Sequence, residues 1–286
     1  MIWLSKFIIS GFADEISENT TEQFEHLNSL GIEYFEPRGI DGKNISELTS
    51  DEAKSLKAKM DKYGIKVSSI GSPIGKININ DDFEEHLKLL ERVIETAKIL
   101  DTRYIRIFSF YVDGEYEKSR DKVIEQMKRM VSLAEEKGVI LLHENEKGIY
   151  GDIASRCADI LRSVNSKHLR AVFDPANFVQ CGQKTYPDAF EMLYPYIEYM
   201  HIKDALENGD VVPAGYGIGC VGDIISSLDR GGYSGFVSLE PHLGSFTGLD
   251  ALEEDDKMTK LEGSTPEKFT LAYKALKKLL PMEGNE

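Results

Sequence analysis

The chain has 286 residues, of which 41% are hydrophobic and 29% are charged, a composition typical of a soluble globular protein. Its formal net charge of −15, from 49 acidic and 34 basic residues, disfavours nucleic acid and anionic membrane surfaces as general partners. No segment approaches the roughly 20 consecutive apolar residues of a membrane-spanning helix, so no membrane partner is expected.

The amino-terminal run and the cysteines predict a cytoplasmic protein. The first apolar run, MIWLSKFIIS, is interrupted by Lys6 and closely followed by acidic residues, unlike the hydrophobic region of a secretory signal. The three cysteines, Cys157, Cys181 and Cys220, are odd in number and lack the spacing of metal ligands. Reduced thiols in the cytosol are the ordinary interpretation of such cysteines.

A strand-then-helix pattern occurs eight times along the chain, at about 36 residues per unit. The first predicted strand spans residues 6–12, and glycines such as Gly31, Gly64 and Gly138 mark the ends of helices. Ser50 is the predicted cap of the second helix. The predicted helices lie near 20–30, 48–63, 81–100, 116–137, 152–165, 186–196, 223–230 and 265–280.

This alternation predicts an α/β fold, a single (β/α)₈ TIM barrel over residues 1–286. The middle strands are rich in valine, isoleucine, leucine and phenylalanine without polar alternation, as expected of strands covered on both faces. No linker or change of composition divides the chain. Residues 282–286, MEGNE, are expected to form a frayed tail.

Four residues that can bind a metal each follow an apolar run at the end of a predicted strand. They are Glu144, Asp174, His201 and Glu240, on predicted strands 5 to 8. The carboxyl ends of barrel strands surround one cleft, so the sequence predicts a common metal site there. Three carboxylates and one imidazole favour one divalent ion, Mn²⁺, Mg²⁺ or Co²⁺ first, with Fe²⁺ and Zn²⁺ also compatible.

Other residues near the predicted strand ends are candidates for binding a substrate. Glu36 and Arg106 lie within strands and are expected to form a buried ion pair beneath the metal. The glycines of residues 217–222 match a dinucleotide fingerprint only formally, because they do not directly follow a strand, and no nucleotide cofactor is expected. The substrate-binding candidates are Asn177, Lys203, Glu146, His242, Ser72 and Phe110.

The sequence resembles the xylose isomerase-like TIM-barrel superfamily of sugar phosphate isomerases and epimerases. The matching segments are HEN (143–145), FDPAN (173–177), MHIKD (200–204), GYGIGCVGDI (215–224) and GGYSGFVSLEP (231–241), with ISGFADEI (9–16) and GIEYFEPR (31–38) consistent with the first strands. The resemblance implies that Glu144, Asp174, His201 and Glu240 bind one divalent metal. One departure is Asn177, which stands where many relatives carry a histidine. Relatives are often dimers or tetramers, so a homodimer or homotetramer is compatible with the sequence.

The resemblance implies a metal-dependent isomerase or epimerase of a small sugar or polyol. Glu144 and Glu240 would then be the acid/base pair, removing and returning a proton beside a metal-bound carbonyl through an enediolate. Elimination from the same intermediate, by a lyase or dehydratase of a keto-sugar or keto-inositol, is the main alternative. An abasic-site nuclease like endonuclease IV is a remote one, because its histidine-rich cluster and the cationic surface are missing here. A barrel that senses a ligand without turnover is the remaining alternative.

Overall fold

Eight parallel strands form the centre of the molecule, in a computed structural model that describes residues 6–243 and 265–281. Six of them pair directly in the order β1-β8-β7-β6-β5-β4, and β2 pairs with β3. The barrel strands are β1 Lys6–Gly11, β2 Tyr34–Phe35, β3 Lys66–Val67, β4 Tyr104–Ile107, β5 Ile140–Glu144, β6 Leu169–Phe173, β7 Ile197–Ile202 and β8 Ser234–Leu239.

Backbone hydrogen bonds close the barrel on both sides of the short β2–β3 pair. The Glu36 amide donates to the Gly11 carbonyl at 2.9 Å, which joins β2 to β1. Ile70, just beyond β3, donates to Tyr104 and accepts from Arg106, both at 2.9 Å, which joins it to β4. Every strand therefore has two neighbours, and the predicted TIM barrel is confirmed.

Helices follow the strands and cover the outside of the barrel. An apolar core lies between the two layers, with residues such as Phe24, Leu90 and Phe269 fully buried. The helices are α1 Thr20–Ser29, α2 Ser50–Tyr63, α3 Phe83–Ile99, α4 Tyr116–Lys137, α5 Ala154–Val164, α6 Pro175–Gln180, α7 Phe190–Leu193, α8 Val221–Arg230 and α9 Pro266–Leu279. Among the helices of the described residues, none combines the length and apolar character needed to cross a membrane.

Two local expectations need correction. Thr49, not Ser50, caps α2: its side chain accepts from the Glu52 amide, and the Glu52 carboxylate accepts from the Thr49 amide. The helix predicted over 186–196 is broken into a π turn, the short α7 and a 3₁₀ turn. Prolines at 187 and 195 explain this, because proline lacks an amide donor and favours an extended preceding residue. The tail predicted at 282–286 lies outside the described residues.

Alternation along the strands separates an apolar layer inside the barrel from a polar layer above it. Leu142, Val172 and Tyr199 form an apolar cluster within the barrel. Glu144, Asp174 and His201 each lie two residues further along the chain, so they face the same interior one layer closer to the carboxyl ends. His143 is almost fully buried and, by the same alternation, faces the helices, as predicted.

Candidate metal centre

The barrel brings the four predicted metal ligands together. Glu144 ends β5, His201 lies within β7, and Asp174 and Glu240 directly follow β6 and β8. One ligand atom from each lies within 4.8 Å of the others, and all four residues are buried. Four strand ends thus converge on a single point of the barrel mouth.

Asp174 is held by its neighbours so that one carboxylate oxygen faces the cluster. Its Oδ1 accepts from the Asn177 amide at 2.9 Å, which caps α6. The Asn145 side chain accepts from the Asp174 amide and donates to the Asp174 carbonyl. Oδ2 lies 2.9 Å from the Lys203 ammonium, but in a geometry that does not form a hydrogen bond.

His201 is oriented by carboxylates on both sides of its ring. Nδ1 lies 2.8 Å from Glu144 Oε1, and Nε2 lies 3.3 Å from Glu36 Oε2. The Tyr199 hydroxyl donates to Glu36 at 2.8 Å, which fixes that carboxylate. An acid behind a ligating histidine fixes the ring and its tautomer, so this arrangement presents Nδ1 to the cluster.

The predicted ion pair between Glu36 and Arg106 is wrong. Glu36 contacts His201, whereas Arg106 lies 3.3 Å from Glu144 Oε2 and 3.8 Å from Glu240 Oε1. Both side chains point inward as expected, but Arg106 is paired with Leu142 of β5 and its long side chain extends toward the mouth. There it faces two acids of the ligand set.

The cluster fits a divalent cation. Glu144 Oε2 and Asp174 Oδ2 are buried oxygens that accept no hydrogen bond from the described residues. Buried acceptors left in this state are costly unless another group satisfies them. Three carboxylates and one imidazole, all at strand ends, match the ligand preferences of Mg²⁺, Mn²⁺, Zn²⁺ and related ions.

Cationic neighbours balance the charge of the buried acids. Burial raises the pKa of Glu144, but His201 and Arg106 outweigh it and lower that pKa to about 2. Burial also opposes ionisation of Glu240, whose pKa is nevertheless held well below its usual range by Lys203 and His201. For Asp174 burial dominates over Lys203 and raises the pKa to about 7. Although burial opposes it, Glu144 and Glu36 raise the pKa of His201 well above its usual value.

A polar cavity of about 170 Å³ opens above the cluster. This is below the roughly 300–1,000 Å³ of typical ligand sites, so it suits a small molecule. Of the four predicted ligands, only Glu144 and Glu240 line it. Its other charged lining residues are Arg38, Lys76, Arg106, Lys203 and Glu146.

Four of the six predicted substrate-binding residues line this cavity: Asn177, Lys203, Glu146 and His242. The Asn177 side chain also donates to Glu144 Oε1 at 3.3 Å, and Lys203 donates to Glu240 Oε2 at 2.9 Å. These two residues therefore hold the ligand carboxylates as well as facing the cavity.

Ser72 and Phe110 lie elsewhere, which corrects the expectation for both. The Ser72 hydroxyl is fully buried and donates to the Arg106 carbonyl. The Phe110 ring is also fully buried and packs edge-on against Phe83 and His86 of α3. The Ser72 amide closes a tight turn onto the Ile70 carbonyl, and Phe110 has a positive φ of 65°, so strand alternation does not extend to these residues and neither lines the cavity.

Sequence reasoning missed Arg38 and Lys76 as cavity residues. Arg38 follows β2, where it pairs with Asp14 at 2.8 Å and with Glu15 and Glu240 at 3.2 Å. A charged residue just past a barrel strand was the signal available for Arg38. Lys76 lies in the long loop after β3, and no such signal marks its position.

A second cluster of metal-binding side chains, Glu15, Glu240 and His242, is already balanced by arginine. The Arg38 guanidinium lies 3.2 Å from an atom of each of the three. Burial raises the pKa of Glu15 to about 7 despite Arg38. We therefore interpret this cluster as an ion-pair network that supports Glu240.

The glycine-rich loop after β7 wraps around a carboxylate. Asp204 accepts from the amides of Gly215, Gly217 and Gly219 at 2.8–3.1 Å. A Cβ atom at Gly217 would overlap the Ala205 carbonyl oxygen, so a side chain there is excluded. The glycines thus allow the backbone of the loop to approach Asp204 closely.

Solved structures with this fold resemble the whole chain. The "IOLI protein with a binding zinc atom" is 19% identical with a TM-score of 0.76, covering 96% of this chain and 98% of its own. The probable 3-DHS dehydratase AsbF from Bacillus anthracis is 18% identical with a TM-score of 0.71, covering 95% and 98%. The 3-keto-D-glucoside 4-epimerase YcjR from E. coli is 18% identical with a TM-score of 0.70, covering 96% and 99%.

Sequence comparison identifies the family but not an individual relative. No curated protein matches the sequence significantly. The family model of the xylose isomerase-like TIM barrel matches residues 24–260, most of the chain. Together with the barrel and the four convergent residues, this match shows that the chain belongs to the xylose isomerase-like TIM-barrel family.

Proposed function

We propose that the protein is a divalent-metal-dependent isomerase or epimerase of a small polyhydroxylated carbonyl compound. Glu144 and Glu240 are its proposed acid/base pair. The observation that carries the proposal is that these two residues belong to the ligand cluster and also line the cavity. Asp174 and His201 complete the cluster from below.

Different neighbours hold the two glutamates, which come from the ends of β5 and β8. Glu144 is fixed by His201 and Asn177, and Glu240 by Arg38 and Lys203. A bound divalent ion would polarise a substrate carbonyl and stabilise the negative charge that develops on its oxygen. Glu144 would remove the proton from the neighbouring carbon and Glu240 would return one from the other face, or the reverse. If the proton returns to the opposite face of the same carbon, the configuration of that carbon is inverted, which is epimerisation. If a proton is delivered to the former carbonyl carbon, the carbonyl moves to the neighbouring carbon, which is isomerisation.

A proton acceptor must be ionised at the working pH and held in place. The pKa of Glu144 is lowered to about 2 because His201 and Arg106 outweigh burial, so this group is ionised at neutral pH. The cavity volume supports a substrate of monosaccharide size. Similarity to an epimerase and to a probable dehydratase of the same fold is consistent with chemistry that begins by proton removal.

Solvent deuterium exchange tests the proposal. The full-length protein, loaded in turn with Mn²⁺, Mg²⁺, Co²⁺ and Zn²⁺, is incubated in D₂O with a panel of ketoses, aldoses and sugar acids. Deuterium is expected at the carbon beside the carbonyl of the substrate. Glu144→Gln and Glu240→Gln should each reduce exchange by roughly 10²- to 10⁴-fold. Asp121→Asn, a change at an exposed helical position, is the control and should exchange normally. No exchange with any compound and any ion would contradict the proposal.

Elimination is the second candidate because the cavity holds an additional proton-bearing group. The Lys203 ammonium lines the cavity 2.9 Å from Glu240 Oε2, where it can assist departure of a substrate hydroxyl. A dehydratase would generate a conjugated enone, which absorbs in the ultraviolet, whereas an epimerase would not. Growth of this absorbance together with deuterium exchange would favour the lyase over the isomerase.

A further inference from the structure

We propose that Arg106 binds an oxyanion of the substrate, so that the substrate is an acid, such as a carboxylated sugar or hydroxy acid, and not a neutral sugar. The inference rests on the proposed function only for the location of the reacting carbon.

Along one wall of the cavity, cationic side chains stack on two aromatic rings. Arg38 lies 4.7 Å and Arg106 lies 5.0 Å from the centre of the Phe12 ring. Arg106 also lies 5.0 Å from the centre of the Phe108 ring, and Lys76 lies 4.3 Å from it. Ring faces favour such cations and hold them in place. Three cationic side chains therefore lie along one wall of a small cavity.

Arg106 differs from Arg38 and Lys76 because its guanidinium makes no hydrogen bond to the described residues. Arg38 donates to Asp14, Glu15 and Glu240, and Lys76 pairs with Glu146 at 2.7 Å. The Arg106 guanidinium has only ion-pair contacts, to Glu144 and Glu240, without hydrogen-bond geometry to any described residue. Arg106 is buried, with a relative exposure of 5%. The planar donor fork of this guanidinium, which lines the cavity, matches the geometry of a carboxylate or phosphate.

The ion-pair partners of Arg106 are the two acids that the metal would share. Both Glu144 and Glu240 belong to the ligand cluster, so a bound divalent ion would balance part of their charge. The buried guanidinium would then lack a full counter-charge, and burial makes that state unfavourable. A substrate oxyanion beside the reacting carbon would supply the missing charge and accept two parallel hydrogen bonds.

Binding of three matched three-carbon probes tests the inference. Isothermal titration of the full-length, Zn²⁺-loaded protein compares D-glycerate, glycerol 3-phosphate and glycerol, which differ in carrying a carboxylate, a phosphate or no charge. We expect at least one anion to bind more tightly than glycerol, and the tighter anion identifies the oxyanion. Arg106→Met keeps an apolar stem between the two rings and should weaken anion binding by roughly 10- to 100-fold without changing glycerol binding. Arg129→Met removes an exposed arginine on α4 and should leave all three affinities unchanged.

A structural role for Arg106 alone would change stability or metal affinity, but not the preference for anions over glycerol. Equal binding of all three probes by the wild type, or an anion preference that survives in Arg106→Met, would overturn the inference. Should Arg106→Met not fold, Arg106→Lys retains the charge without the planar fork. We then expect several-fold weaker anion binding, and unchanged binding would again overturn the inference. Because the assay needs no turnover, its outcome is independent of whether deuterium exchange is observed.

Discussion

Strands β5–β8 and strands β1–β4 contribute differently to the same cavity. The later half supplies all four members of the ligand cluster, one from each strand end. The earlier half supplies the cations Arg38, Lys76 and Arg106. Strands β5 to β8 have five or six residues, whereas β2 and β3 have two each. Long paired strands fix the positions of the side chains at their ends, as metal binding requires. The shorter strands β2 and β3 are sufficient for a cavity wall that contacts a substrate.

Removing a proposed metal ligand from the later half should have the largest effect. Asp174→Asn keeps an oxygen to cap α6 through the Asn177 amide but removes the charge from the cluster. We expect metal affinity to fall on the order of 10³-fold, about 4 kcal/mol, because each ligand of such a site carries a large share of the binding energy. Competition with a chromogenic chelator measures the loss.

The matched control for this prediction is Asp159→Asn, an aspartate on α5 that pairs with Arg120 away from the cavity. It should bind metal as the wild type does. Unchanged metal affinity in Asp174→Asn would contradict the prediction, because it would mean that Asp174 does not bind the metal.

In the earlier half, Glu15 should make stability depend on pH. Burial raises the pKa of Glu15 to about 7 from an ordinary value of 4.5, so the folded state binds more protons than the unfolded state between these values. The contribution of Glu15 to the free energy of unfolding is therefore fully present below pH 4.5 and is lost as the pH rises to about 7. Glu15→Gln should therefore gain stability relative to the wild type over this range, by up to about 3 kcal/mol.

Urea unfolding of both proteins at pH 5 and pH 8 measures this difference. Other titrating groups, including His143 and Asp174, are common to the two proteins, so the comparison isolates Glu15. A difference that is constant with pH would show that Glu15 is ionised in the folded protein throughout.

Glu36 links the two halves and provides a finer test. It lies just beyond β2, yet it contacts Nε2 of His201 in β7 at 3.3 Å. Glu36→Gln should weaken metal binding by about 10- to 100-fold, because the acid behind a ligating histidine fixes the ring and increases its basicity. The same chelator competition applies. Affinity equal to that of the wild type would mean that β7 alone orients His201.

The later half was also the more predictable half from sequence. Glu144, Asp174, His201 and Glu240 follow regular apolar runs, and alternation along a strand fixes which side chains face the barrel. Ser72 and Phe110 follow β3 and β4, where strand alternation no longer applies. Lys76 lies several residues into a loop, and its place at the cavity depends on contacts that only the folded chain defines. Arg106 was expected to pair with Glu36, because sequence gives the face of a strand but not which layer two inward residues share.

The smallest expected effect concerns α2, on the outside of the earlier half. Thr49 caps this helix in a reciprocal arrangement with Glu52, while Ser50 lies inside its first turn. Thr49→Ala should lower the free energy of unfolding by about 1 kcal/mol, because it leaves amide donors at the helix start unsatisfied. Ser50→Ala, one residue away, should change it by less than about 0.5 kcal/mol. Urea unfolding of both variants distinguishes the two positions, and equal losses would show that the cap is shared. Neither variant should alter metal affinity, since α2 contributes no residue to the cavity among those the structure describes.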